Sequence, residues 1–163
     1  MKIYLIGMPL SGKTEVAKIL AERLNYKFVD IYTEIEKSSL MYIDEIVEKY
    51  DYKTVFKEET NILNSLLNED NLVIATTDGV VLDRKNKKLL DGLVIYLDVD
   101  VKVLEDRKKD SYPKVMLENA SIEDISSKRF LQYQNFATII INNNNIEIND
   151  TIDNIIIELE KKN

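Results

Sequence analysis

The 163-residue chain has no cysteine, no histidine and no tryptophan, and only two prolines and four glycines. Without cysteine there can be no disulfide and no thiolate zinc site, and without histidine there is neither an imidazole ligand nor the commonest general base. Chemistry here has to run on carboxylates, amines, hydroxyls and backbone amides, and a metal has to be a hard cation such as Mg2+ held through oxygen. Long apolar runs are missing too: none approaches the roughly 18 residues of a membrane span, and no basic stretch leads into an apolar one as in a secretory leader. Positive charge is in the minority, 22 Lys and Arg against 29 Asp and Glu, for a net charge of -7 and a pI near 4.8. That balance opposes generic attraction to nucleic acid or to an anionic membrane. The expectation is a soluble cytoplasmic protein whose partners are small molecules.

What is present is ordinary globular composition, 45% hydrophobic and 31% charged. The length suits one compact domain over residues 1–163, with a monomer as its simplest state. Lys2–Ile6 reads as an apolar strand, then comes a loop, then an amphipathic helix marked by Val16, Ala17, Ile19, Leu20 and Leu24 that ends near Asn25. Lys27–Val29 is a short strand, and Thr33–Asn68 is helical with a break at Asp51. Leu72–Ala75, Leu93–Leu97 and Thr138–Ile141 are continuous apolar runs, the signature of strands buried on both faces. Val101–Arg107, Ile122–Asn135 and Thr151–Lys161 read as helices, Lys108–Ser121 as a lid without clear period, and Asn142–Asn145 as a polar surface turn. The alternation predicts an α/β fold, a five-stranded parallel sheet with helices on both faces.

The sharpest motif is Gly7-Met8-Pro9-Leu10-Ser11-Gly12-Lys13-Thr14, which satisfies G-x-x-x-x-G-K-[ST] without a mismatch and lies between a strand and a helix. Two of the four glycines occupy its glycine positions. Glycine lets the backbone turn its N–H groups inward around phosphates, and the following helix points its positive end at them. On this reading Gly7, Leu10, Ser11, Gly12 and Lys13 cradle the phosphates of ATP, Lys13 reaches the β- and γ-phosphates, and the Thr14 hydroxyl ligates Mg2+.

Beyond the loop the chain resembles the shikimate kinase family over about residues 1–142. The resemblance is carried by Leu24–Asp30, which leads into a D-x-D-like site, by Ile35-Glu36 and Ile43-Asp44-Glu45-Ile46, and by Val55-Phe56-Lys57-Glu58-Glu59 at the family's F-R motif. It continues through Val73–Val81 at a triple-glycine turn, Leu104–Asp110 at a base-binding arginine and Lys128–Tyr133 at an R-x-P-L-Y segment. It implies a three-layer P-loop kinase fold and transfer of the ATP γ-phosphoryl group to a hydroxyl of shikimate or a related acceptor. It also implies that Asp30 holds the Mg2+ shell with Thr14, that Arg107 packs against adenine and that Arg129 grips the substrate carboxylate. Lys57 and Gly79 would complete the substrate site, and residues 108–121 would close over it.

Four positions depart from the family pattern. Tyr32 stands at the second Asp of D-x-D, where a phenol is a poor proton acceptor, which leaves Asp30 as the carboxylate able to take the proton. Lys57 replaces an arginine, Tyr112 replaces the lid cation, and Thr77-Asp78-Gly79 replaces three glycines, so that Asp78 is expected to repel an anionic acceptor. Several candidate residues have a plain alternative: Asp30 as a solvated carboxylate at a strand end, Lys57 as a surface partner of Glu34, Glu58 or Glu59, Asp78 as a turn residue, and Arg107 and Arg129 as exposed helix charges. Besides the kinase, two further readings stay open: a nucleotide-binding module without catalysis, and a kinase for a neutral or cationic polyol.

Overall fold

The computed structural model describes residues 1–109, 120–144 and 147–162. Five strands, β1 (Lys2–Ile6), β2 (Lys27–Asp30), β3 (Leu72–Ala75), β4 (Leu93–Asp98) and β5 (Ile139–Asn142), form one sheet in the order β2-β3-β1-β4-β5. All four pairings are parallel, with Leu5 of β1 opposite Ala75 of β3 and Ile95 of β4. The expected five-stranded parallel sheet is what the chain builds.

The helices are α1 (Lys13–Leu24), α2 (Ile31–Ser39), α3 (Ile43–Lys49), α4 (Tyr52–Ser65), α5 (Asn86–Leu89), α6 (Val101–Lys109), α7 (Ile122–Phe136) and α8 (Ile148–Glu160). Strand alternation divides them into two layers. Ile3 and Leu5 of β1 face α1 and α8, where Val16, Leu20, Ile152 and Ile155 meet them. Tyr4 and Ile6 face the other way, toward Ile35, Val55, Leu63, Leu104 and Tyr133. No helix among the described residues is long and apolar enough to cross a membrane.

Boundaries differ from the sequence reading for local reasons. The helical stretch begins at Ile31 rather than Thr33 because Asp30 caps it, its Oδ1 accepting from Thr33 N at 3.0 Å. It breaks at Asp51, as expected, where that side chain caps α4 by accepting from Thr54 N at 2.8 Å. A second break falls at Leu40, whose φ of 56° is left-handed and ends α2. Between β3 and β4 the 3-10 turn Val80–Leu82 and the single-turn α5 are too short to show a period. Of the expected lid, Lys108 and Lys109 end α6 and Ser121 caps α7; residues 110–119, Tyr112, Pro113 and Lys114 included, lie outside the described residues.

The amino end of the sheet is fastened by polar groups. Lys2 is buried there, Nζ donating to the carbonyls of Leu66 (3.0 Å) and Leu67 (2.7 Å) and to Asp91 Oδ2 (2.9 Å), while the Tyr4 hydroxyl donates to Asp91 Oδ1 at 2.8 Å. Burial works against the Asp91 charge, but these hydrogen bonds outweigh it and hold the carboxyl below its ordinary range. Gly92 follows, so close to β1 that a Cβ would lie 2.2 Å from the Lys2 carbonyl oxygen. Because that neighbour is backbone, it cannot swing aside. Gly92→Ala is expected to cost about 3 kcal/mol and lower Tm by about 10 °C, and a melt within about 2 °C of the parent would contradict the packing argument.

Candidate active site

The carboxyl ends of β1, β2 and β3 converge on the phosphate loop. Gly7 (φ 152°) and Gly12 (φ 91°) hold backbone conformations that side chains resist, and Leu10 between them is left-handed at φ 66°. The loop closes on itself through Ser11 N donating to the Met8 carbonyl at 3.2 Å. The Ser11 hydroxyl inside it is buried with no hydrogen-bond partner among the described residues. Lys13 is buried at the first position of α1, Nζ donating to the carbonyls of Gly7 (2.9 Å) and Met8 (3.0 Å). Backbone donors at a helix N-terminus, a buried ammonium and an orphaned hydroxyl suit a polyphosphate.

Lys13 has a third partner: Asp78 does sit in the turn after β3, as its plain reading has it, but not as a lone charge. Nζ lies 2.8 Å from Asp78 Oδ1, with both side chains less than a tenth exposed. Asp78 is therefore half of a buried ion pair at the end of β3, and its charge is matched rather than left to repel an acceptor. Its other oxygen, Oδ2, accepts from the Tyr32 hydroxyl at 2.7 Å, and its amide donates to that hydroxyl at 3.3 Å. Burial and the Asp78 charge raise the Tyr32 pKa well above the ordinary phenol value, so Tyr32 is a fixed donor here. The Asp78 carbonyl in turn accepts from the Tyr133 hydroxyl at 2.6 Å and from Arg129 Nη1 at 3.4 Å.

On the solvent side, Thr14 Oγ1 donates to Asp30 Oδ2 at 2.9 Å. Two hard oxygens side by side at the mouth of a phosphate loop fit Mg2+, which takes one or two protein oxygens and completes its octahedron with waters and phosphates. An open cavity of about 590 Å3 runs from this loop to α2 and α3. It is lined by Pro9–Glu15, Tyr32, Glu36, Tyr42, Ile43, Asp44 and Asp78, so Tyr32 borders the space without filling it.

Arg107 and the asparagine run meet behind the loop. The guanidinium donates to the carbonyls of Leu10 (2.9 Å), Asn143 (2.6 Å) and Asn144 (2.6 Å), bracing the left-handed residue of the loop against the turn after β5. Asn143 corrects the expectation of a surface turn. It is buried, donates from Nδ2 to the Ser11 carbonyl at 2.9 Å and accepts from Thr151 Oγ1 at 2.6 Å. Asn145 lies outside the described residues.

A second buried carboxylate sits behind Thr77. Glu59 is fully buried, accepting from Thr77 N at 2.7 Å and from Thr77 Oγ1 at 2.5 Å. Burial pushes its pKa up to about 7 against the pull of those two hydrogen bonds. It fixes the residue beside Asp78, and the sequence reading missed it. The signal was there: Val55, Glu59 and Leu63 are spaced four apart, so a carboxylate occupies the buried stripe of α4.

The remaining expected residues divide. Arg129 is buried, not an exposed helix charge; it sits on the inner stripe of α7 with Ile125 and Tyr133, its guanidinium 5.8 Å from the Phe56 ring centroid. Gly79 packs against that same ring, which a Cβ would approach to 2.5 Å, so its lack of a side chain has a structural reason. Lys57 is exposed and does not line the cavity. Nor do its suggested surface partners turn to it: Glu34 pairs with Lys37 at 2.9 Å, Glu59 bonds Thr77, and Glu58 Oε2 accepts from Asn61 at 3.5 Å.

Comparison with known proteins gives this arrangement a family. The family profile "Shikimate kinase" matches residues 9–160. The chain is 36% identical over 151 residues to a shikimate kinase of Rippkaea orientalis, covering 88% of this chain and 80% of that one. It is 32% identical over 165 residues to a shikimate kinase of a Sulfurihydrogenibium species, covering 98% of each. The solved structure of shikimate kinase from Acinetobacter baumannii in complex with shikimate superposes with a TM-score of 0.89 at 30% identity, over 99% of this chain and 93% of that one. Strand order, phosphate loop and sequence agree, and the chain belongs to the shikimate kinase family.

Proposed function

We propose that the protein transfers the γ-phosphoryl group of ATP, bound with Mg2+, to a hydroxyl of shikimate or a closely related small acceptor. One observation carries this beyond family membership: the buried Lys13 ammonium at the helix start borders a cavity that Thr14 also lines, with the Asp30 carboxylate bonded to the Thr14 hydroxyl at its mouth. Phosphoryl transfer asks a protein mainly for positioning and for charge to meet the spreading negative charge, and those groups supply both. Lys13 binds the β- and γ-phosphates, Thr14 and Asp30 hold the hydrated Mg2+, which neutralises phosphate charge, and Arg107 flanks the base while bracing Leu10. Arg129 and Gly79, beside Asp78, are the acceptor-side positions. The enzyme is read as a single-domain cytoplasmic monomer.

Acceptor-dependent ADP release is the test, with Mg·ATP and a panel of small hydroxy acids and polyols that includes shikimate. Turnover with shikimate is the expected result. No acceptor-dependent release across the panel, from protein that binds Mg·ATP, would replace the kinase with a nucleotide-binding module.

A further inference from the structure

We propose that Asp78 is the proton acceptor for the hydroxyl that attacks the phosphoryl group. The inference rests on the kinase reading above and adds the group that completes its chemistry. Asp78 borders the cavity and is bonded to the same ammonium that would hold the phosphates, Lys13 Nζ to Oδ1 at 2.8 Å. An ammonium with a γ-phosphate oxygen on one side and a carboxylate on the other sets that carboxylate beside the group being transferred. A hydroxyl entering between them meets its proton acceptor and its electrophile together.

Of the carboxylates among the described residues that line the cavity, Glu15, Glu36, Asp44 and Asp78, the one that meets Lys13 Nζ is Asp78. The chain has no histidine. Tyr32 keeps its proton and uses it to hold Asp78 Oδ2 at 2.7 Å. Asp30 accepts from Thr33 N and from Thr14 on the exposed side of the loop and does not line the cavity. Glu36 accepts from Ile43 N at 3.0 Å, and Glu59 does not line the cavity. Each oxygen of a carboxylate accepts two hydrogen bonds, so Asp78 can keep Lys13 and Tyr32 and still take a hydroxyl. Its backbone is held as firmly as its side chain, by Tyr133 and Arg129 on its carbonyl.

The balance is simple. The acceptor oxygen forms a bond to the γ-phosphorus, the bond from that phosphorus to the β,γ-bridging oxygen breaks, and its electron pair leaves on ADP. The hydroxyl proton passes to the Asp78 carboxylate and from there to solvent. The charged or titratable groups facing that carboxylate are Lys13 from α1, Tyr32 from α2, Glu59 from α4, and Arg129 and Tyr133 from α7.

Asp78→Asn tests the assignment, because it keeps the shape and removes the basicity. The expected result is a fall in kcat of about 10²- to 10⁴-fold with the Kd for Mg·ATP within about threefold of the parent. Asp78→Glu, which keeps a carboxylate, should retain more of the kcat than Asp78→Asn, and Glu59→Gln should lower kcat by less than about tenfold, which separates Asp78 from the carboxylate behind Thr77. Tyr32→Phe should lower kcat roughly tenfold, as loss of one positioning hydrogen bond does. If Asp78→Asn does not fold, Asp78→Ser carries the same two readouts. An Asp78→Asn kcat within about threefold of an active parent, or a loss confined to Mg·ATP affinity, would overturn the proposal and leave Asp78 as a holder of Lys13. A parent with no acceptor-dependent turnover would instead fell the kinase reading, and this inference with it.

Discussion

Lys13→Met is expected to lower kcat/KM by on the order of 10³-fold, because it deletes the one side-chain cation among the described residues that lines the cavity, and with it the charge that meets the transferring group. The same change should also weaken the fold. With Lys13 gone, Asp78 keeps only neutral donors for a carboxylate that is less than a tenth exposed, and stranding one partner of a buried pair costs about 3–5 kcal/mol. The double variant Lys13→Met with Asp78→Asn removes both charges. It should recover most of the stability while remaining inactive, and the two losses are thereby separated. Denaturation and Mg·ATP-dependent turnover measured on the four proteins of this cycle check it; a single variant with kcat/KM within about tenfold of the parent would remove Lys13 from the chemistry.

The second large effect is a dependence of stability on pH set by Glu59. Its pKa in the folded protein is raised to about 7 from 4.5, so the folded state binds more protons than the unfolded state between those values. A raised carboxyl pKa means that its contribution to stability is greatest below the unfolded pKa and declines as pH rises through the folded one. The decline amounts to about 3 kcal/mol at full ionisation, on the order of what burying an ionised carboxylate with two hydrogen bonds should cost. Glu59→Gln, which imitates the protonated form, should therefore be more stable than the parent at pH 8 and close to it at pH 5. Urea denaturation at both values decides the matter: equal differences at the two would show that Glu59 does not titrate across that window.

How much of this was legible in the sequence depended on how far apart the partners are. The phosphate loop was fully legible, because its chemistry is packed into eight consecutive residues whose spacing has little freedom. The five strands were legible to within a residue or two, since strands buried on both faces read as unbroken apolar runs. The turn at Asp78 was legible from an Asp before Gly, but its charge was misjudged because its partner Lys13 lies 65 positions away. Asn143 was misjudged for the same reason at greater range, its partner Ser11 being 132 positions distant. Glu59, and the burial of Arg129, could have been caught, since each interrupts the apolar stripe of an amphipathic helix, where an unpaired charge would be untenable.

The two ends of the sheet are held by separate sets of contacts. Lys2, Asp91 and Gly92 lock the amino ends of β1 and β4 together with contacts that owe nothing to any ligand. Tyr32 and Asp78 meet at the opposite end, on the border of the cavity. Because the two sets share no residue, the cavity end can be re-engineered while the foundation of the sheet stays as it is.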